Sequence, residues 1–230
     1  MPERRGCRRR GGSGGSGTNR RMIKPPPNPF PASNTSGLAS GTQLHRVHDR
    51  QFSANAFNPG LGRRSRFAPL ELPSGKIPTQ YAATSFECAV HETIFHDIPF
   101  DEPDKTVGTD SIKPLNHAVV RLKRALVLVP LFTPDLARWN ITRQDLIDTT
   151  AFYYPITGQW ALAIHQSRPD ADGLVWTSKR CDPDLSFLFF GNRVADGDIQ
   201  VIESRSIWSD ANEMADVRGF AERSHIDLVL

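Results

Sequence analysis

From Leu44 onward the apolar residues recur in short, regular runs. LHRVH and IPTQYAA alternate with a period of two, the mark of half-buried strands. TSFECAVHETIF follows the second of these directly. Its Phe86, Ala89, Val90, Thr93 and Ile94 fall at i, i+3, i+4, i+7 and i+8, one face of a helix. Thr84 and Glu87 make a T-x-x-E capping box at its start. AVVRL and ALVLVPLF predict two more strands, the second apolar enough to be buried on both faces. ITRQDLIDTTAF and ITGQWALAIHQS predict helices, with Pro155 breaking between them. GLVW, LSFLFF and IQVIE predict three further strands, and residues 209–224 a C-terminal helix. Residues 97–117 are acidic and proline-bearing and predict loop. Strands and helices mix without regular βαβ alternation and without a repeat. That pattern favours an α+β fold over a doubly wound sheet.

Residues 1–42 have another texture. RRGCRRRGGSGGSGTNRR is an Arg/Gly/Ser tract and MIKPPPNPFPASNTSG is proline-rich. Neither buries enough apolar surface to offset chain entropy, so the segment is expected to be disordered, with Met22 an alternative start. It also distorts the charge. It holds seven arginines and one lysine against one glutamate, a net +7, which leaves −4 for the remainder of a chain that totals +3. The globular part is therefore mildly acidic and its charge does not suggest nucleic-acid binding. An RNA- or DNA-backbone arm in the tail is the one reading of that kind. With 38% hydrophobic and 23% charged residues, the bulk reads as a soluble globule. No window approaches the roughly 18 apolar residues of a membrane-spanning helix. The N-terminal arginines precede no apolar h-region, so no secretory signal is expected. Cys7, Cys88 and Cys181 form no C-x-x-C and fit reduced thiols in the cytoplasm.

Three look-alikes fail on geometry. His91 and His96 bracket a zincin-like HETIFH, but their gap of five turns the second by about 140° around a helix. His45 and His48 sit three apart on a strand and point to opposite faces. Asn58-Pro-Gly-Leu-Gly-Arg-Arg-Ser has two glycines of a dinucleotide fingerprint, but Ser65 replaces the third and no helix follows.

What is left is a dispersed set of polar residues. Arg46 ends the first strand, and Arg66-Phe67 follows a glycine-bearing loop. Tyr81 lies on the strand before the capped helix, with Glu92 on that helix eleven residues later. Ser178 follows the GLVW strand. Glu92 falls at the edge of the apolar face, where a carboxylate is partly desolvated. A solvated residue, or a salt bridge to a nearby arginine, is the plain alternative. Arg46 and Arg66 are fixed cations whose forked donors suit phosphate or carboxylate. Tyr81 as a core aromatic and Ser178 as a turn residue are the ordinary readings.

Taken together, LHRVH…AFNPGLGRRSRFAPL…IPTQYAATSFECAVHETIFHD…DGLVWTSKR…LSFLFFGNRV resembles the RES domain, whose members are typically toxins of RES–Xre toxin–antitoxin pairs. The resemblance implies an ADP-ribosyltransferase-like α+β fold, with a mixed or antiparallel sheet and flanking helices. Residues 43–204 would form the domain, and 205–230 a C-terminal helical extension. It implies NAD+ as substrate and no metal. Arg66, Glu92 and Ser178 correspond to the catalytic trio, and Arg46, Arg66, Tyr81 and Ser178 to the NAD+ pocket. In that role Glu92 would stabilise an oxocarbenium-like ribose and the two arginines would clamp the diphosphate. Tyr81 would stack on nicotinamide or wall off water, and Ser178 would donate to a phosphate or the nicotinamide amide. Water, phosphate or a protein side chain as acceptor would give a glycohydrolase, a phosphorylase or an ADP-ribosyltransferase. An Xre-type antitoxin is the implied partner, and a homodimer stays open. The chain departs from the pattern in the inserted LELPSGK between Arg66 and Tyr81. Two rivals stand beside this reading: a nucleic-acid binder led by the tail, and a RES-like domain that binds a nucleotide without turnover.

Overall fold

A computed structural model describes residues 22–99 and 103–230. In chain order the elements begin with β1 (Ser36–Leu38), β2 (Gln43–Asp49), β3 (Leu70–Leu72), β4 (Gly75–Ile77), β5 (Thr79–Ala83) and α1 (Phe86–His91). The middle of the chain forms β6 (Lys105–Gly108), β7 (Leu115–Leu122), β8 (Leu126–Pro130), α2 (Thr133–Arg138), α3 (Arg143–Leu146) and α4 (Tyr154–Ser167). β9 (Gly173–Thr177), β10 (Leu185–Phe190), β11 (Ile199–Ser206), α5 (Ala211–Arg223) and β12 (Ile226–Val229) complete it.

Eight strands make one mixed sheet in the order β1-β8-β9-β10-β5-β2-β7-β11. β8 and β9 are parallel and all other neighbours antiparallel. That one parallel pair needs a long crossover, and α2, α3 and α4 occupy it. β10 lies inside the sheet and is apolar on both faces. Phe187 and Phe189 join a cluster with Leu44, Val120 and Leu128, while Leu188 and Phe190 join Phe67, Trp160 and Trp176 on the other face. A third cluster, with Val47, Phe86, Val90 and Val217, holds α1 and α5 against β2.

The sheet has a split. β2 and β5 pair at one position only, His45 with Ala83. Farther along, Thr79 of β5 pairs instead with Asn58 of the loop that leaves β2. The space between the two strands is the mouth of a cleft.

The α+β class and the strand assignments from LHRVH to IQVIE agree with this architecture. Four expectations are corrected. Residues 22–42 are not a disordered tail: β1 caps the edge of the sheet on β8, Phe30 packs on Trp139 and Trp160, and the Lys24 carbonyl accepts from the Trp160 indole. Residues 1–21 lie outside the described residues. The α1 cap is Ser85, whose hydroxyl accepts from the Cys88 N–H, while Thr84 donates to Asp184. Pro155 opens α4 within its first turn, where its missing N–H costs nothing, rather than breaking a helix. The C-terminal extension is not only helical, because β12 after α5 pairs in parallel with β6, inside the stretch expected to be loop.

Candidate active site

Glu92 is the C-cap of α1, one residue past the helix proper, and its backbone N–H bonds to the Cys88 carbonyl. That places the side chain at the inner end of the split. Oε2 accepts from Arg66 Nη1 at 3.3 Å, and Oε1 accepts from Ser178 Oγ at 2.6 Å. The pair is largely withdrawn from water, at 5% exposure for Arg66 and 15% for Glu92. Both line a cleft of about 580 Å³ between β2, β5 and the loop that joins β2 to β3.

The backbone on either side of Arg66 fixes its position. Phe67 is fully buried and meets Trp176 edge-on at 5.1 Å. The Arg66 carbonyl accepts from Thr157 of α4. The loop before it turns at Gly60 and Gly62, both at positive φ, where other residues are strained. The inserted LELPSGK forms the β3–β4 hairpin, and its Lys76 lies over Gly60 and donates to the Gly60 carbonyl at 3.1 Å. The insertion therefore braces the cleft rim and leaves Arg66 in place.

Ser178 has no exposed surface and is not part of the cleft lining. Its oxygen accepts from the N–H groups of Arg180 and Cys181 at 3.1 and 3.2 Å, and its one proton goes to Glu92. A hydroxyl so committed does not reach a phosphate or an amide in the cleft; it acts by holding Glu92. Tyr81 does line the cleft. Its hydroxyl sits 2.9 Å from Ser65 Oγ and accepts from the Phe67 N–H, and burial pushes its pKa up to about 12. Arg46 lies in the middle of β2, not at its end. One nitrogen donates to the carbonyls of Ala54 and Ala56, both at 2.8 Å, and burial pulls its pKa down to about 10. That nitrogen closes the loop after β2, while Arg46 also lines the cleft.

Several cleft residues were not singled out from sequence. Arg63, exposed in the glycine loop, brings a cation to the mouth; Tyr154 at the start of α4 brings a second phenol; His48, His96 and Phe57 complete the wall. Arg63 was inside the quoted loop, but nothing in its spacing set it apart from Arg64, which pairs with Glu71. Tyr154 was hidden by the mistaken helix start. Behind the pair, Lys179 donates to the Thr149 carbonyl; burial, then Arg66 and Arg180, bring its pKa down to about 8. Among the described residues one group could ligate a metal, Cys88, Cys181 and Asp184, with ligand atoms within 4.8 Å of one another. The Asp184 carboxylate already accepts from Thr84 and Ser85, and burial raises both thiols to about 12. The two histidines of HETIFH diverge: His91 packs on Phe95 and His96 lines the cleft. No helix among the described residues is long and apolar enough to cross a membrane.

The family model described as RES domain matches residues 43–210. The chain belongs to the RES domain family. No curated protein matches its sequence. Among solved structures, it is similar to a chain in the crystal structure of the M. tuberculosis MbcT–MbcA toxin–antitoxin complex. The TM-score is 0.48 at 14% identity, over 74% of this chain and 85% of that chain. The matched RES region spans β2 to β11 and contains all five residues that the resemblance singled out.

Proposed function

We propose that this RES domain cleaves the nicotinamide–ribose bond of NAD+, with water or phosphate as acceptor, and serves as the toxin of a toxin–antitoxin pair. The observation that carries the reading is the withdrawn Arg66–Glu92 pair at the inner end of the cleft, with Ser178 locking the second carboxylate oxygen. At about 580 Å³ the cleft has the size of a small-molecule site. Nicotinamide leaves with the electron pair of the C1′–N bond, and positive charge grows on the ribose. A carboxylate held rigidly beside that carbon stabilises the charge without reorganising. Arg66 and Ser178 supply the rigidity, one at each oxygen. Arg63 at the mouth, with Arg46 on the β2 wall, is suited to the diphosphate. Tyr81 walls the ribose side.

Transfer to a protein side chain is the same chemistry with another acceptor, so protein ADP-ribosylation is the second reading. A separate Xre-type antitoxin would silence the enzyme. Phe52 and Leu61, exposed apolar side chains on the cleft wall, offer such a cover an apolar footing.

The test is direct. Purified protein is incubated with NAD+, with and without phosphate, and the products are weighed by mass spectrometry. ADP-ribose, phosphorylated ADP-ribose, or added mass on protein each names one acceptor. Glu92→Ala and Arg66→Ala are expected to abolish NAD+ loss and growth arrest while folding. Full NAD+ consumption by both variants would refute the assignment.

A further inference from the structure

A row of three titratable side chains, one half-buried and two buried, runs from the inner end of the cleft to the first turn of α5. It begins at His45, the position where β2 and β5 part. His45 stacks on His117 of β7, with ring centroids 5.2 Å apart and planes 13° from parallel, and its Nδ1 lies 3.0 Å from His117 Nε2. His117 Nδ1 lies 2.7 Å from Glu213 Oε2, in the first turn of α5. Phe86 of α1 stacks on the His117 ring at 3.7 Å. Both His117 and Glu213 are 7% exposed. A small cavity of about 30 Å³ joins this row to the reaction centre, since His45 and Glu92 both line it, with Tyr81, Thr93 and Ser186. That is room for a water with polar partners.

We propose that His45, His117 and Glu213 form a proton relay that drains the reaction centre through α5. The inference rests on the NAD+-cleaving reading above. Hydrolysis of NAD+ yields ADP-ribose, nicotinamide and one proton. The C1′–N electron pair departs with nicotinamide, water forms the new C1′–O bond, and Glu92 takes the proton that water gives up. That proton passes through a water in the small cavity to His45 Nε2. His45 Nδ1 then gives its proton to His117 Nε2, and His117 Nδ1 gives its own to the Glu213 carboxylate. Glu213 releases it to solvent, and the rings regain their starting tautomers before the next turnover.

The electrostatics suit a conduit. Burial lowers the pKa of His45, brings His117 down to about 4 and raises Glu213 to about 7. Neither imidazole traps a proton at neutral pH, and Glu213 exchanges one there. Glu213 accepts only when ionised, so kcat should rise as pH climbs through about 7. The charged groups facing Glu213 are Asp210 and Asp216 on its own helix, and Glu203 and Arg205 on β11. His48 of β2 faces His117, Asp184 faces His45, and α1 presents the uncharged Phe86 ring.

Steady-state kinetics with NAD+ across pH test the relay in the full chain. Glu213→Gln, which keeps the shape, should lower kcat about tenfold with KM unchanged, and should lose the rise near neutrality. His45→Gly should be slowed likewise and regain rate with added imidazole, which a merely structural role would not allow. Should Glu213→Gln not fold, His45→Gln at the cleft end carries the same measurement. A folded variant with the wild-type kcat and pH limb overturns the relay while wild-type activity upholds the reading beneath it. A wild-type protein that leaves NAD+ intact overturns that reading, and the relay with it. Nitrogen NMR of His117 adds a readout free of turnover. A ring that stays neutral well below its ordinary range supports the conduit, and one that titrates near 6.5 overturns it.

Discussion

Ser178 decides how the site is held. Its oxygen takes two backbone N–H bonds and gives one to Glu92, so removing it costs three contacts at a point with no exposed surface. Ser178→Ala leaves two buried donors without a partner and frees one carboxylate oxygen. The expected result is a loss of about 1–3 kcal/mol of stability, with a fall in kcat for NAD+ larger than any rise in KM. Denaturant titration and steady-state kinetics check it; an unchanged kcat in the folded variant would place Ser178 outside catalysis. The structure brings Glu92 and Arg66 together, and their confinement was legible locally: a carboxylate at the edge of an apolar face, and an arginine beside a deeply buried Phe67. The hydrogen bonds of Ser178 and Arg46 were not legible, because they depend on loop geometry: the Ser178 oxygen accepts from the N–H groups of Arg180 and Cys181, and Arg46 donates to the carbonyls of Ala54 and Ala56.

The elements with a clear pattern, β2 and β5 by alternation, α1 by its 3.6 period, and β7 and β10 by continuous apolar runs, were readable from the chain because their own residues define what they bury. The short ones were not. β1, β3, β6 and β12 have three or four residues each, and are strands only because a partner edge is waiting. β1 carries a measurable consequence. It covers the edge of β8, and the segment before it seats Phe30 at 5.2 and 5.8 Å from the rings of Trp139 and Trp160. Asn34 also donates to Asp135 at 2.7 Å, and Arg168 reaches the Ser33 carbonyl. Deleting residues 1–21 should leave NAD+ loss unchanged. Deleting 1–42 should destabilise by roughly 1–3 kcal/mol, since the half-buried Phe30 and the β1 pairing are lost, and should expose the β8 edge to aggregation. Thermal melts and light scattering of the two truncations separate these outcomes. Equal stability of both would mean that the segment from 22 to 42 contributes nothing. If deletion of 1–21 removes a salt-dependent affinity for nucleic acid, the tail has a function of its own.

At the scale of the whole molecule, one sheet opens at a single point, between β2 and β5, while the core behind it stays continuous. On one side β2, β7 and β11 carry α1 and α5; on the other β5, β10, β9, β8 and β1 carry the crossover helices. At the opening the two strands are tied by the His45–Ala83 pairing and the Asn58–Thr79 bridge, and Glu92 is tied to Arg66 and Ser178. A ligand lying in the cleft touches both sides and adds ties that only the folded chain can offer. Its binding therefore appears as stability, by about 2.7 kcal/mol when the ligand is at a hundred times its dissociation constant. For a chain of this size that is a rise of roughly 5–10 °C in Tm. Glu92→Gln is the protein in which to see it, because the amide keeps the shape and the bond to Ser178 but removes the negative charge that the reaction needs. NAD+ should raise the Tm of this variant without being consumed, and ADP-ribose, which lacks the nicotinamide, should raise it less. No shift with NAD+, in a variant that melts cooperatively on its own, would mean that the split does not hold a dinucleotide, whatever the family resemblance suggests.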